Sequence, residues 1–162
     1  MGLDVTTPRG LESVAQEVRL LKAVEAQYPV RVIPTPKDGA ATVDGVLVIG
    51  DTLAGVFESK CRNMTLRTLR EDFGNEWLVT HDKLLGAAQA ARLLGVPLFG
   101  FVYLVPDDVG LAIRLANAEG FLIPRIRVIT TETQATINGG TARRRNAYVK
   151  MDTAVEFRVP PT

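Results

Sequence analysis

Residues 96–105, VPLFGFVYLV, carry no charge at all. Ten residues are too few to cross a bilayer, and the bounding loop signals and aromatic content predict a strand in the middle of a sheet, buried on both faces. Such a strand needs an apolar cover on each side. The chain supplies two helices of the right kind. Leu11, Val14, Val18 and Leu21 recur at helical spacing after Pro8 and Gly10, predicting a helix over 10–27 that Pro29 ends. HDKLLGAAQAARLLG (81–95) predicts the second, with Thr80 as its cap, Asp82 at the positive end of its dipole and Gly95 as its stop.

The other elements fit around this frame. VRVI (30–33) predicts a short strand, PTPKDGA a loop, and residues 42–63, TVDGVLVIGDTLAGVFESKCRN, a hairpin turning at Gly50, Asp51 and Thr52. A short helix and then a strand at EWLV (76–79) are expected in the segment that follows. DDVGLAIRLANAEG (107–120) reads as a further helix, and the weakly alternating tail from Phe121 as strands with NGG as a turn. The expectation is a mixed α/β domain spanning 1–162, with one sheet and a helix on either side. At 162 residues and 46% apolar content, one sizeable core is within reach.

Charge and cysteine narrow the function classes. Lys and Arg number 19 against 18 Asp and Glu, so any nucleic-acid binding must rest on local patches. Cys61 is the only cysteine, which rules out an internal disulfide and suits a reducing compartment. With no apolar run of membrane length and no basic-then-apolar start, the chain reads as soluble and cytoplasmic, without a membrane partner.

The hairpin holds three charges inside otherwise apolar strands: Asp44, Glu58 and Lys60. A three-residue turn sets Asp44 directly across from Glu58, and alternation places Glu58 and Lys60 on one face. Two opposed carboxylates repel unless something positive lies between them. Lys60 can do part of that, and a divalent cation more: hard Mg²⁺ accepts one or two carboxylates together with water and phosphate oxygens.

This arrangement resembles the PD-(D/E)XK nuclease superfamily, whose signature is an Asp on one strand and an acidic-x-Lys triplet on the next. Here Asp44 is followed 14 residues later by Glu58-Ser59-Lys60, with Val43 where the signature has proline. The resemblance implies a restriction-endonuclease-like αβββαβ core over about residues 10–105, a mixed central sheet flanked by helices, and a helix and strand extension over 106–162. It implies a Mg²⁺-dependent endonuclease (Mn²⁺ substituting) that hydrolyses DNA phosphodiester bonds. Asp44 and Glu58 would hold the metal with the Ser59 carbonyl, and Lys60 would position the attacking water. From the same resemblance, Glu17 on the leading helix and Gln89 on the second are further catalytic candidates, and Lys83 a nucleic-acid contact. Small stand-alone members, such as Holliday junction resolvases, imply a homodimer in a prokaryotic, archaeal or phage-infected cell. Arg143, Arg144 and Arg145, read as a flexible basic loop, suit phosphate contacts, with Tyr148 able to stack on a base. The alternatives are a catalytically inactive protein of this fold that binds nucleic acid or a protein partner, and an unrelated α/β binding domain.

Overall fold

The computed structural model describes residues 7–36, 41–135 and 140–161. The first helix, α1 (Pro8–Gln27), begins slightly before the apolar spacing predicts. The Thr7 side chain accepts the Gly10 N–H, and Pro8 fills a first-turn position that needs no donor. Its Leu20, Leu21 and Val24 pack on Leu47, Phe57, Phe101 and Tyr103, covering one face of the sheet. On the other face α3 (His81–Leu94) lays Leu84, Ala87, Ala88 and Ala91 against Val56, Leu98 and Val102. Gly95 ends α3 in the left-handed conformation, at φ 68°. Thr80 occupies the cap position, but its side chain makes no capping bond.

Between these helices runs a six-stranded sheet in the order β1 (Arg31–Pro34), β2 (Gly45–Ile49), β3 (Thr52–Arg62), β5 (Leu98–Leu104), β6 (Val109–Ala116), β9 (Val155–Arg158). Only β3 and β5 run parallel; the other neighbours are antiparallel. The expected central strand is β5, buried along its length except at half-buried Phe99. A mixed sheet with a helix on each face, entered through α1 and three antiparallel strands, is the predicted αβββαβ core.

Two expectations fail beyond it. Residues 107–120 do not form a helix; their centre is strand β6. Leu111, Ile113 and Leu115 are each at most 2% exposed while Arg114 between them is exposed, a period of two rather than 3.6. Leu111 and Leu115 also satisfy a helical spacing, so β5 and β9, which flank the segment and take up its backbone bonds, decide the matter. Nor is there a single sheet. The short helix α2 (Leu66–Glu71) and β4 (Glu76–Thr80) form where expected, but β4 leaves the main sheet and pairs in a second one, β4-β8-β7, with β8 (Thr141–Lys150) and β7 (Ile126–Ala135). The NGG turn falls partly outside the described residues.

The hairpin turn also differs from expectation. Ile49 pairs with Thr52, leaving the two-residue turn Gly50-Asp51, with Gly50 at φ 60°. A bulge then intervenes: Val48 pairs with Leu53 but Leu47 with Gly55, so Ala54 is the extra residue. The bulge restores the offset lost in the shorter turn, and the pairing continues to Gly45 opposite Phe57. A Cβ on Gly45 would lie 2.5 Å from the Phe57 ring and 2.6 Å from the Ile33 carbonyl oxygen. The ring can yield to it; the backbone of β1 cannot. Gly45→Ala should therefore cost about 1–3 kcal/mol, read as a lower denaturation midpoint at unchanged slope.

Candidate functional site

Asp44 sits immediately before β2, and its backbone N–H donates to the Phe57 carbonyl. The restored register carries its carboxylate over to β3, where Oδ2 accepts the Ser59 N–H at 2.8 Å. Glu58 and Lys60 project from the α3 face of β3, while Phe57, Ser59 and Cys61 face α1. The Glu58 side chain is 2% exposed. From α3, Lys83 closes the group: its Nζ lies 3.1 Å from Glu58 Oε2 and 3.3 Å from Asp44 Oδ1. The two carboxylates and two lysines thus come from the two arms of the hairpin and from α3.

Electrostatics at this point are unbalanced. Burial, and then the neighbouring Asp44 carboxylate, push the Glu58 carboxyl up to about 8 against the opposing pull of Lys83. Burial by itself would lower Lys83, but Glu58 and Asp44 outweigh it and hold the ammonium above the ordinary lysine value. The two shifts belong to different pH ranges, since Glu58 ionises first and Lys83 then faces a fully charged pair. Lys60 is solvent-accessible as a residue, yet protein crowding around its ammonium, and then the Lys83 and Arg62 charges, lower it from the usual lysine value.

Glu58 Oε1 is buried and has no hydrogen-bond partner among the described residues. A buried carboxylate oxygen left unmatched beside a second carboxylate suits a hard cation. The donor set fits Mg²⁺ or Mn²⁺: two carboxylates and a main-chain oxygen at Ser59, the rest left to water or phosphate. Among the described residues no third acidic, His or Cys side chain completes a metal cluster.

The other candidates divide. Glu17 reaches Ser59 from the α1 side, Oε1 standing 3.3 Å from the Ser59 hydroxyl, so it approaches the strand from the face opposite Glu58. Gln89 is exposed and lines a groove with Leu85, Arg92 and Phe121, away from the Lys83 side of α3. The three arginines lie in β8, paired with Glu132, Thr131 and Thr130 of β7, and not in a flexible loop. All three are exposed, and Arg145 lies 3.2 Å from Asp82 Oδ1 on α3 in an open surface ion pair. Tyr148 in the same strand carries the Arg127 guanidinium 4.4 Å from its ring centre. Sequence reasoning passed over Arg62, although two residues beyond Lys60 strand alternation puts it on the same face.

The parallel β3–β5 pair, the leading α1 and the charged hairpin define a restriction-endonuclease-like fold, the fold of the PD-(D/E)XK nucleases. Among solved structures, the chain is similar to Archaeoglobus fulgidus Hjc, a Holliday junction resolvase from an archaeal hyperthermophile, with a TM-score of 0.51 over 90% of this chain and 92% of that one. Identity between the two is 14%, so the likeness is one of fold. No protein-family model and no curated protein sequence matches this chain. Among the described residues no helix is long and apolar enough to cross a membrane.

Proposed function

We propose that this chain is a divalent-metal-dependent nuclease that hydrolyses phosphodiester bonds in DNA. The observation that carries the reading is the pair of half-buried Asp44 and buried Glu58, with an unmatched carboxylate oxygen and Lys60 on the same face, on a fold that nucleases use. Asp44 and Glu58 would hold Mg²⁺ or Mn²⁺, with the Ser59 carbonyl as a further ligand. The bound cation would supply the positive charge that draws in a phosphate and stabilises the charge developing on it. Lys60, lowered from the ordinary lysine value, is suited to orient the attacking water and to take or return its proton. Lys83 neutralises the carboxylates until a cation does so, and is then free to meet a phosphate oxygen. Glu17 would act through Ser59, holding the strand that bears the triplet. A homodimer would offer two such sites to a branched substrate.

The test is incubation with Mg²⁺, and separately with EDTA, of duplex, single-stranded, flapped and four-way DNAs. Cleavage in Mg²⁺ alone is expected; no cleavage of any of them would contradict the proposal. A second reading, a catalytically silent protein of this fold that binds nucleic acid, draws on Lys83, which already bridges both carboxylates. DNA binding without turnover would favour it.

The basic strand enters either reading. If Arg143 and Arg144 each neutralise one phosphate, their joint replacement by Ala should lower the slope of log affinity against log salt by about 0.9 per contact, close to 1.8 for the pair. Arg145→Ala should change the slope less, because Asp82 already holds that guanidinium. Binding measured in Ca²⁺ at several salt concentrations checks this, and an unchanged slope in the double variant would make these arginines an ordinary solvated surface.

A further inference from the structure

Two arginines of the chain are half-buried, Arg19 and Arg62; the others are exposed. Arg19 meets a carboxylate, Asp108, at 3.1 Å. Arg62 makes no ion pair with any described residue, and its one hydrogen bond runs from Nη2 to the Leu78 carbonyl at 3.3 Å. Burial lowers its guanidinium from the ordinary arginine value, opposed only by the neighbouring Cys61. Arg127 is the contrast: its hydrogen bond to Glu76, at 2.9 Å, raises it instead. Taking water from a guanidinium without supplying a counter-charge is unfavourable, and an anion that reaches it removes that cost.

The position of Arg62 says which anion. It ends β3, two residues beyond Lys60 and on the same face of the strand. Lys60 is in register with Val102 and Arg62 with Leu104, so the two cations follow one another along one row of the sheet. Two residues of strand span about 7 Å, the scale on which successive phosphates follow along a nucleic-acid strand. Access is open, because Arg62, Val102 and Leu104 line a cleft of about 700 Å³ that the second sheet borders through Leu78 and Tyr148. Leu78 lies in β4, an edge strand, and its carbonyl fixes one arm of the guanidinium. Arginine carries five N–H donors in a rigid fork, so most remain for a phosphodiester, which accepts two at once.

We propose that Arg62 holds the phosphate next to the one being cleaved, and so fixes which phosphodiester lies over Asp44, Glu58 and Lys60. The inference rests on the nuclease reading for the place of the scissile phosphate, but its test is made by binding. Affinity for a four-way DNA, whose branch fixes the register, is measured in Ca²⁺ for wild type and Arg62→Gln. Glutamine keeps a donor for the Leu78 carbonyl but carries no charge. Arg62→Gln should bind about tenfold more weakly, with the slope of log affinity against log salt lowered by about 0.9. Arg62→Lys should recover the slope and only part of the affinity. The binding is then repeated with single phosphates near the branch replaced, one at a time, by uncharged methylphosphonates. One replacement should weaken wild type about as much as Arg62→Gln does and cost the variant nothing further. That phosphate should adjoin the position cut in Mg²⁺. An equal loss in Arg62→Gln with every DNA, together with a lower denaturation midpoint, would make Arg62 a structural tie to β4 and overturn the proposal. Cleavage in Mg²⁺ with no coupled phosphate beside the cut would refute the Arg62 contact alone. A coupled phosphate without cleavage would refute the nuclease reading alone, and wild type that binds no DNA would overturn both.

Discussion

Lys60→Ala should lower the single-turnover rate of DNA cleavage by about two to four orders of magnitude, the usual contribution of a positioned proton-transfer group. Stability and DNA affinity should change little. Lys60 makes no ion pair with any described residue and is solvent-accessible, so its removal opens no cavity and strands no buried partner. Its neighbours explain the size of the effect. Arg62 donates to the Leu78 carbonyl at 3.3 Å, and Lys83, once a cation displaces it from the carboxylates, is assigned to a phosphate oxygen, so neither stands in for Lys60 at the water. Quench-flow measurement on saturating DNA in Mg²⁺, with affinity measured separately in Ca²⁺, separates chemistry from binding. A wild-type rate in Lys60→Ala would remove this residue from the reaction.

Glu58→Gln should stabilise the metal-free protein, and the gain should grow with pH. The Glu58 carboxyl, at about 8 when folded, ionises near 4.5 when the chain unfolds. Below about pH 4.5 both states hold the proton and the group makes no difference. Between there and about pH 8 the unfolded chain has lost its proton while the folded protein keeps it, so stability falls as pH rises; above that the loss is complete. Glutamine keeps the shape without the charge. The variant should match wild type near pH 4 and exceed it at pH 9 by at most about 5 kcal/mol, the pull of Lys83 being already contained in the folded value. Urea midpoints at the two pH values test the sign. A variant less stable at pH 9 would mean that Glu58 works as a structural partner of Lys83. Saturating Mg²⁺ should raise the wild-type midpoint and leave that of Glu58→Gln where it was.

What could be read from the chain was what local physics decides. The unbroken apolar run at 96–105 required cover on both faces, and α1 and α3 provide it. Strand alternation put Glu58 and Lys60 together, and the hairpin offset put Asp44 opposite, although the turn is shorter than expected and the Ala54 bulge makes up the difference. Bulges leave almost no trace in sequence, so that agreement came through a compensation that spacing could not reveal. Strand β6 was misread because Leu111 and Leu115 fit both periods, and only long-range pairing separates them. The second sheet was missed for the same reason: paired residues of β4 and β8 are about 70 residues apart, and nothing local says that they meet. The side chains on α3 depended on the rotation of the helix about its axis. That rotation brings Lys83 to the carboxylates and turns Gln89 toward Phe121.

The central role proposed for Asp44 and Glu58 is to make cleavage depend on a divalent cation. The measurement is the single-turnover rate on a labelled four-way DNA as Mg²⁺ is raised from an EDTA-treated start, for wild type and for Glu58→Gln. Wild type should show no cleavage without Mg²⁺ and a saturable rise with it, while Glu58→Gln stays near the baseline throughout. Cleavage by wild type in EDTA, or a Glu58→Gln rate that follows the wild-type curve, would contradict it.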